Sequence, residues 1–436
     1  MATRETQVTC PAGAIVGTSD GAVREFHSIP YARFTAAFDP PAPAPTGMLI
    51  DATTPLPHAT RLSITAPEGA RRNDDLPVLV WIHGGRFEEG THADDRANGP
   101  AFARDGIILV QVGYRLKFPG MLPVGGDAPG QYRAVQDCAA ALSWVQRNIE
   151  AFGGDPTNVT VAGQSAGADI AVWLCRRDHY KGEFRRAVAA SPVFPRRGMD
   201  SRRWAARGAL GRALLREELN PLYDRSPQRL DRAYRRFRTQ YCTDIALGPF
   251  PLEPAKLARV PLVVTSTRDE FFPNGAFADG TALATPVARA FGRHMGLAKG
   301  RDGEYLDVAS RIDPGHVVGR LLSDAMCRRW VDDIAEGAPG PVWQAELVAS
   351  ADLPAHHAAD LAPAFGADGA YGTGLNRWLT QFVRGGDVGW EPYSGGTRAG
   401  TGRTALRVAL DGSGAQEVKD PLGYLRGAFS PVAHEL

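Results

Sequence analysis

The chain of 436 residues has no apolar run of 18 residues, so no stretch reads as a membrane-spanning helix. Its opening residues, Met1-Ala-Thr-Arg-Glu-Thr-Gln7, have no apolar core of the kind a secretion signal carries. Cysteine is scarce. Cys10, Cys138, Cys175, Cys242 and Cys327 are odd in number, scattered and without a C-x-x-C pair. That argues against a disulfide framework and a zinc site, and it favours a reducing cytoplasm. Excess charge is also lacking: 49 Lys and Arg stand against 48 Asp and Glu, a net charge of +1. The global field therefore favours neither nucleic acid nor a membrane surface. There is no P-loop, no G-x-G-x-x-G, no cluster of metal ligands and no basic-aromatic stripe. No cofactor, metal or nucleic-acid partner is expected.

What the chain does have is an ordinary globular balance, 44% apolar and 22% charged. Residues 77–82, 106–112, 159–162, 186–190 and 261–264 are short apolar runs that read as buried strands. Between them, residues 134–149 carry Val135, Cys138, Ala139, Leu142, Val145 and Ile149 at helical spacing. Strand–helix alternation predicts an α/β fold, a central mostly parallel twisted sheet with helices on both faces. In such sheets the chemistry gathers at the carboxyl ends of strands. His83-Gly-Gly85, Ser165 and Asp269-Glu270 each follow a predicted strand directly.

The richest segment is Asn158-Val-Thr-Val-Ala-Gly-Gln-Ser-Ala-Gly-Ala168. A β-branched strand runs into Gly163-Gln-Ser165-Ala-Gly167, the G-x-S-x-G nucleophile elbow. The glycines flank a strand-to-helix turn too sharp for side chains there. The turn lifts the Ser165 hydroxyl clear of the sheet, and the Ala166 N–H points where an oxyanion would form. A serine hydroxyl is a weak nucleophile. It needs a base, an acid to orient that base, and donors for the tetrahedral oxyanion.

Several further segments make a specific likeness. They are Phe26-His-Ser-Ile-Pro-Tyr-Ala32, Val80-Trp-Ile-His-Gly-Gly-Arg-Phe87, Tyr114-Arg-Leu116, Asp137-Cys-Ala-Ala-Ala-Leu-Ser-Trp-Val-Gln-Arg-Asn-Ile149 and Phe152-Gly-Gly-Asp-Pro156. With the elbow, they resemble the type B carboxylesterase/lipase family of the α/β-hydrolase superfamily, which includes bacterial para-nitrobenzyl esterases, cholinesterases and the non-catalytic neuroligins. The match runs from about residue 8 to residue 393 and is weakest across 195–250. The resemblance implies an α/β-hydrolase fold and a serine carboxylesterase acting on a small-molecule ester.

It also implies site residues. Val264-Thr-Ser-Thr-Arg-Asp-Glu270 is similar to the family's T-x-D-E-G element, which makes Glu270 the acid, with Asp269 as runner-up and Phe271 where the family has glycine. His357-Ala-Ala-Asp-Leu-Ala-Pro-Ala-Phe365 is similar to H-x-x-E-L-x-x-x-F, which makes His357 the base and puts Asp360 in the place of a glutamate. His356 fits that register poorly, and His316 is a distant alternative. The oxyanion donors implied are the N–H groups of Gly85, Arg86 and Ala166, with Gly84, Arg86 and Gln164 as candidate substrate-binding residues.

Two of these depart from the family. Arg86 occupies a glycine position, where a Cβ costs about 1 kcal/mol if φ is positive. Gln164 replaces the usual glutamate. Arg86 either sets a cation beside the acyl site, favouring an anionic substrate, or leans outward onto Glu88 or Glu89. The family's early cysteine motif is missing before Leu62. Residues 38–47 read as an extended surface segment, and 392–403 and 411–416 as loops. Residues 1–436 are expected to form a single domain with a reduced helical cap at about 195–258. Within that cap, 200–240 carries eleven arginines, also consistent with a solvated helix pair. Two other functions suit the same features: an acyltransferase or cyclase using the same triad, and a non-catalytic binding protein.

Overall fold

The computed structural model describes residues 3–241, 243–367, 369, 371–394 and 402–430. Cys242 and part of the predicted loop 392–403 lie outside them. Fifteen strands run in chain order: β1 Arg4–Cys10, β2 Gly13–Ser19, β3 Val23–Ile29, β4 Ala32–Arg33, β5 Ala42–Pro43, β6 Met48–Asp51, β7 Leu62–Pro67, β8 Leu76–Ile82, β9 Ile108–Val112, β10 Gly154–Gln164, β11 Arg186–Ala190, β12 Leu262–Thr267, β13 Val342–Val348, β14 Thr404–Ala409 and β15 Gln416–Lys419. All but β4 and β5 join one sheet in the order β1-β2-β3-β7-β9-β8-β10-β11-β12-β13-β14-β15, with β6 beside β2. From β9 to β14 every neighbouring pair is parallel. The flanks β1-β2-β3-β7-β9 and β14-β15 are antiparallel.

Burial explains the difference. Strands β9, β11 and β12 are buried at every residue, as parallel strands covered on both faces must be. β2 alternates buried and half-buried positions, the mark of an antiparallel strand with one face packed. Within β8, Val78, Val80 and Ile82 turn to one face, where the helices Arg133–Asn148 and Ala166–Leu174 pack. Leu79 and Trp81 turn to the other, against Leu361, Phe365, Leu379 and Phe382. Among the described residues no helix is long and apolar enough to cross a membrane.

The strands expected at 159–162 and 106–112 differ in extent. β10 starts five residues earlier, at Gly154, with a register irregularity before Val159. Its polar lead-in, where Asp155 accepts from the Thr157 N–H, carries no apolar run. The segment 38–47 is only partly a surface strand, because Phe38 is fully buried. Phe38 joins a separate cluster with Leu210, Leu222, Tyr234 and Phe237. Those residues come from the helices Arg203–Leu210, Arg216–Arg225 and Pro227–Arg238, each with one apolar stripe inward and arginines outward. At 411–416 the turn ends at Gln416, where β15 begins.

Candidate active site

Ser165 stands between β10 and the helix Ala166–Leu174 with φ 56° and ψ −124°. Space at this turn is set by backbone. A Cβ on Gly163 would lie 2.3 Å from the Gly167 carbonyl oxygen, and one on Gly167 would lie 2.0 Å from that of Ile82. Only glycine fits at either place. The Ser165 N–H donates to Ala190 of β11 at 2.8 Å, so the strained residue is pinned to the sheet.

The hydroxyl of Ser165 lies 2.9 Å from His357 Nε2. His357 Nδ1 lies 2.5 Å from Glu270 Oε2. Glu270 follows β12, and its backbone carbonyl accepts the His357 N–H at 2.9 Å. Its second oxygen, Oε1, accepts from Ser191 Oγ at 2.6 Å, the Thr267 N–H at 2.9 Å and Cys327 Sγ at 3.2 Å. Burial alone would push the Glu270 carboxyl up. The His357 charge and the hydrogen bonds from His357, Ser191 and Cys327 outweigh it and hold the carboxyl below its ordinary value. Phe271 packs its ring 4.9 Å from the His357 ring, which accounts for a large side chain at that glycine position.

The alternatives are drawn elsewhere. The Asp269 carboxylate pairs with Arg320 at 3.2 Å. His316 stacks on Phe272, ring centres 4.6 Å apart. His356 donates its N–H to Pro354. Asp360, three residues after His357, stands just before the helix Leu361–Phe365, but its side chain makes no capping hydrogen bond. It is buried, and its Oδ1 has no hydrogen-bond partner among the described residues.

The loop after β8 holds the remaining residues. His83 is buried, stacks on Tyr114 at 4.3 Å and directs Nδ1 to the Gly84 carbonyl. Burial lowers its imidazole to about 4, so it is neutral. A Cβ on Gly84 would lie 2.6 Å from Gln164 Oε1. Gly85 has φ 102°, and Arg86 and Phe87 both have φ 60°. Among the described residues the N–H groups of Gly85, Arg86 and Ala166 make no hydrogen bond. For Ala166 that follows from its place in the first turn of a helix.

Arg86 takes the outward of its two expected orientations. Its half-exposed guanidinium lies 3.8 Å from Glu88 and 3.6 Å from Glu89. The other orientation, a cation beside the acyl site, is not the one taken. Glu88 is also held by Arg238, at 2.6 Å, from the end of the helix Pro227–Arg238. Gln164 Nε2 lies 3.2 Å from His357 Nε2, a contact that no sequence motif marks. Ser191 and Cys327 were likewise invisible in sequence, since no motif marks them. Among the described residues no three His, Cys, Asp or Glu side chains gather as a metal site.

The arrangement places a serine hydroxyl, an imidazole within hydrogen-bond reach and a carboxylate on that imidazole in one run, beside backbone N–H groups with no hydrogen bond among the described residues, a set of groups suited to nucleophilic acyl transfer. Comparison with known proteins agrees. Residues 59–210 match the carboxylesterase family. Para-nitrobenzyl esterase of Bacillus subtilis is 32% identical over 310 residues, 60% of this chain and 62% of that protein. The probable N-octanoylanthranilate hydrolase of Rhodococcus erythropolis is 35% identical over 210 residues, 42% of this chain and 46% of that protein. The chain thus spans less than two thirds of the length of these relatives. A solved PNB esterase superposes with a TM-score of 0.78 at 25% identity, covering 97% of this chain and 99% of the other. The fold is that of the α/β-hydrolases.

Proposed function

We propose that the chain, which resembles the carboxylesterase family over residues 59–210, is a serine carboxylesterase that cleaves a small-molecule carboxylic ester through an acyl-enzyme. The observation that carries the reading is the unbroken run Ser165 Oγ–His357 Nε2 at 2.9 Å and His357 Nδ1–Glu270 at 2.5 Å.

In this reading Ser165 Oγ attacks the ester carbonyl carbon while His357 Nε2 takes the hydroxyl proton. The tetrahedral oxyanion is bound by the N–H groups of Gly85, Arg86 and Ala166, each worth about 2.7–4 kcal/mol of transition-state stabilisation. His357 then gives its proton to the departing alkoxide, and the alcohol leaves. Water attacks the acyl-serine with His357 again as base, releasing the carboxylic acid and restoring the serine. Glu270 keeps the proton of neutral His357 on Nδ1 and stabilises the imidazolium. Arg86 serves through its backbone N–H, since its side chain is taken up by Glu88 and Glu89. An uncharged ester is therefore the proposed substrate. Residues 1–436 form one domain in this reading, with 195–258 as a cap that Arg238 ties to the oxyanion loop through Glu88. A cytoplasmic location is supported by four buried free thiols, Cys10, Cys138, Cys175 and Cys327.

The test is hydrolysis of para-nitrophenyl acetate, butyrate and octanoate by the wild type beside Ser165→Ala. Turnover by the wild type that is lost in the variant supports the proposal, and the chain-length profile sizes the acyl pocket. A wild type that neither turns over these esters nor reacts with a fluorophosphonate would overturn it.

A further inference from the structure

On the face of the sheet away from the helix Ala166–Leu174 lies a cavity of about 190 Å³, walled by Trp81, Phe365, Trp378, Leu379 and Trp390. Its rim reaches the exposed Ala415. Asp360 is the only ionisable residue among those lining it. Side chains in a packed interior leave few voids larger than a water, and buried polar atoms are ordinarily paired. This cavity breaks both rules at once. Among the described residues Asp360 Oδ1 is buried without a hydrogen-bond partner, and so are the indole N–H groups of Trp81 and Trp390. One acceptor and two donors thus remain unsatisfied around an otherwise apolar space.

We propose that the cavity is a second binding site, for a small apolar alcohol or phenol whose hydroxyl hydrogen-bonds Asp360. A hydroxyl has one donor and two acceptor lone pairs, so it gives its proton to the carboxylate and accepts from an indole. Other ligand classes fit less well. A carboxylic acid would set a second negative charge beside Asp360. An ammonium would bring three donors to one carboxylate in an apolar space, at a large desolvation cost. A pure hydrocarbon would leave the polar atoms unpaired. Size agrees: an apolar cavity of about 150 Å³ takes up benzene, so about 190 Å³ accommodates a methyl-substituted phenol. Burial, and secondarily the charge of Glu270, raises the Asp360 carboxyl to about 6, which leaves it an ionised acceptor near pH 7.5. This site stands apart from the hydrolytic reading, and its test needs no turnover.

The test titrates para-cresol into the full chain at pH 7.5, followed by tryptophan fluorescence and by thermal melting. Expected is saturable binding that raises Tm, with toluene at least tenfold weaker and benzoate without effect. Ala364→Leu, which grows into the cavity from its lining, should weaken cresol at least tenfold. Asp360→Leu should abolish the preference for cresol over toluene. Three results would overturn the proposal: no saturable signal, toluene binding as tightly as cresol, or an affinity unchanged by Ala364→Leu. If either variant fails to fold, the wild-type series of cresol, toluene and benzoate decides alone.

Discussion

Two buried carboxyls lie close to one imidazole, and they behave in opposite ways. Glu270 sits beneath His357 with both oxygens engaged, by His357, Ser191, Thr267 and Cys327. Asp360, three residues beyond His357, is as deeply buried, but among the described residues one of its oxygens has no partner. Glu270 is held below its ordinary value, whereas Asp360 is pushed up to about 6. Depth is similar, so depth does not set the charge. The count of donors does, because each hydrogen bond to the ionised form offsets part of the desolvation cost. The contrast supports the proposed roles of Glu270 beside the imidazole and of Asp360 in the cavity.

The sharpest way to break this contrast is to neutralise each carboxyl in turn. Glu270→Gln should lower kcat/KM by about 10³–10⁴-fold, as loss of the orienting acid does in other triads. Asp360→Asn should stay within about tenfold of the wild type. Equal losses in ester hydrolysis would mean that both carboxyls serve the imidazole.

Stability against pH separates them next. The folded value of Glu270 lies below its unfolded value near 4.5. Its stabilising contribution is therefore present above about pH 4.5 and disappears as pH falls through the folded value. Asp360 is raised from 3.8 to about 6, so its contribution is lost as pH rises through 6. Urea unfolding should show Asp360→Asn more stable than the wild type by about 3 kcal/mol at pH 8, with no gain at pH 3.5. The deficit of Glu270→Gln should be largest at pH 8 and should shrink below pH 4.5.

A third carboxyl would sharpen the comparison further. Gln164→Glu puts a carboxylate about where Gln164 Nε2 now lies 3.2 Å from His357 Nε2. A negative charge there favours imidazolium, so the acid limb of kcat/KM should move up by about one pH unit. Activity at pH 9 should be nearly unchanged, and activity at pH 6 should drop. An acid limb that stays in place would mean that the new carboxyl is itself neutral. The smallest effect concerns the donors. Cys327→Ala removes one of the partners of Glu270 and should reduce kcat a few-fold, while Cys327→Ser should keep it near the wild type. Initial rates on a para-nitrophenyl ester check both.

Much of this is legible in the sequence, and where it is not the reasons are physical. The elbow could be read because its constraint is local: Gly163 and Gly167 are dictated by the backbone within a few residues. The core strands could be read because parallel strands buried on both faces are continuous apolar runs. β13 could not, because Val342–Val348 contains Gln344 and Glu346. Glu346 is buried by pairing with Arg328 and Arg407, which come from distant segments. β1 opens on four polar residues, Arg4 to Gln7, and β2 has only the short run Ala14 to Val16 between glycines, so neither carries a long run to notice. The outward turn of Arg86 depended on Glu88, whose own position depends on Arg238, 150 residues away. The unpaired oxygen of Asp360 was hidden for the same reason, since nothing in a sequence says which donors fail to arrive.

The hydrogen bonds that join Ser165, His357 and Glu270 span 192 and 87 residues of chain. Contacts of such separation form late, because the entropy of closing large loops must be met before they return any energy. β11 lies between the strands that present Ser165 and Glu270, so the middle of the sheet has to be zipped before either can meet the imidazole. Refolding from denaturant should therefore restore helical circular dichroism first and hydrolytic turnover last. In the proposed mechanism Ser165 would then mark the final step of folding as well as carry the reaction.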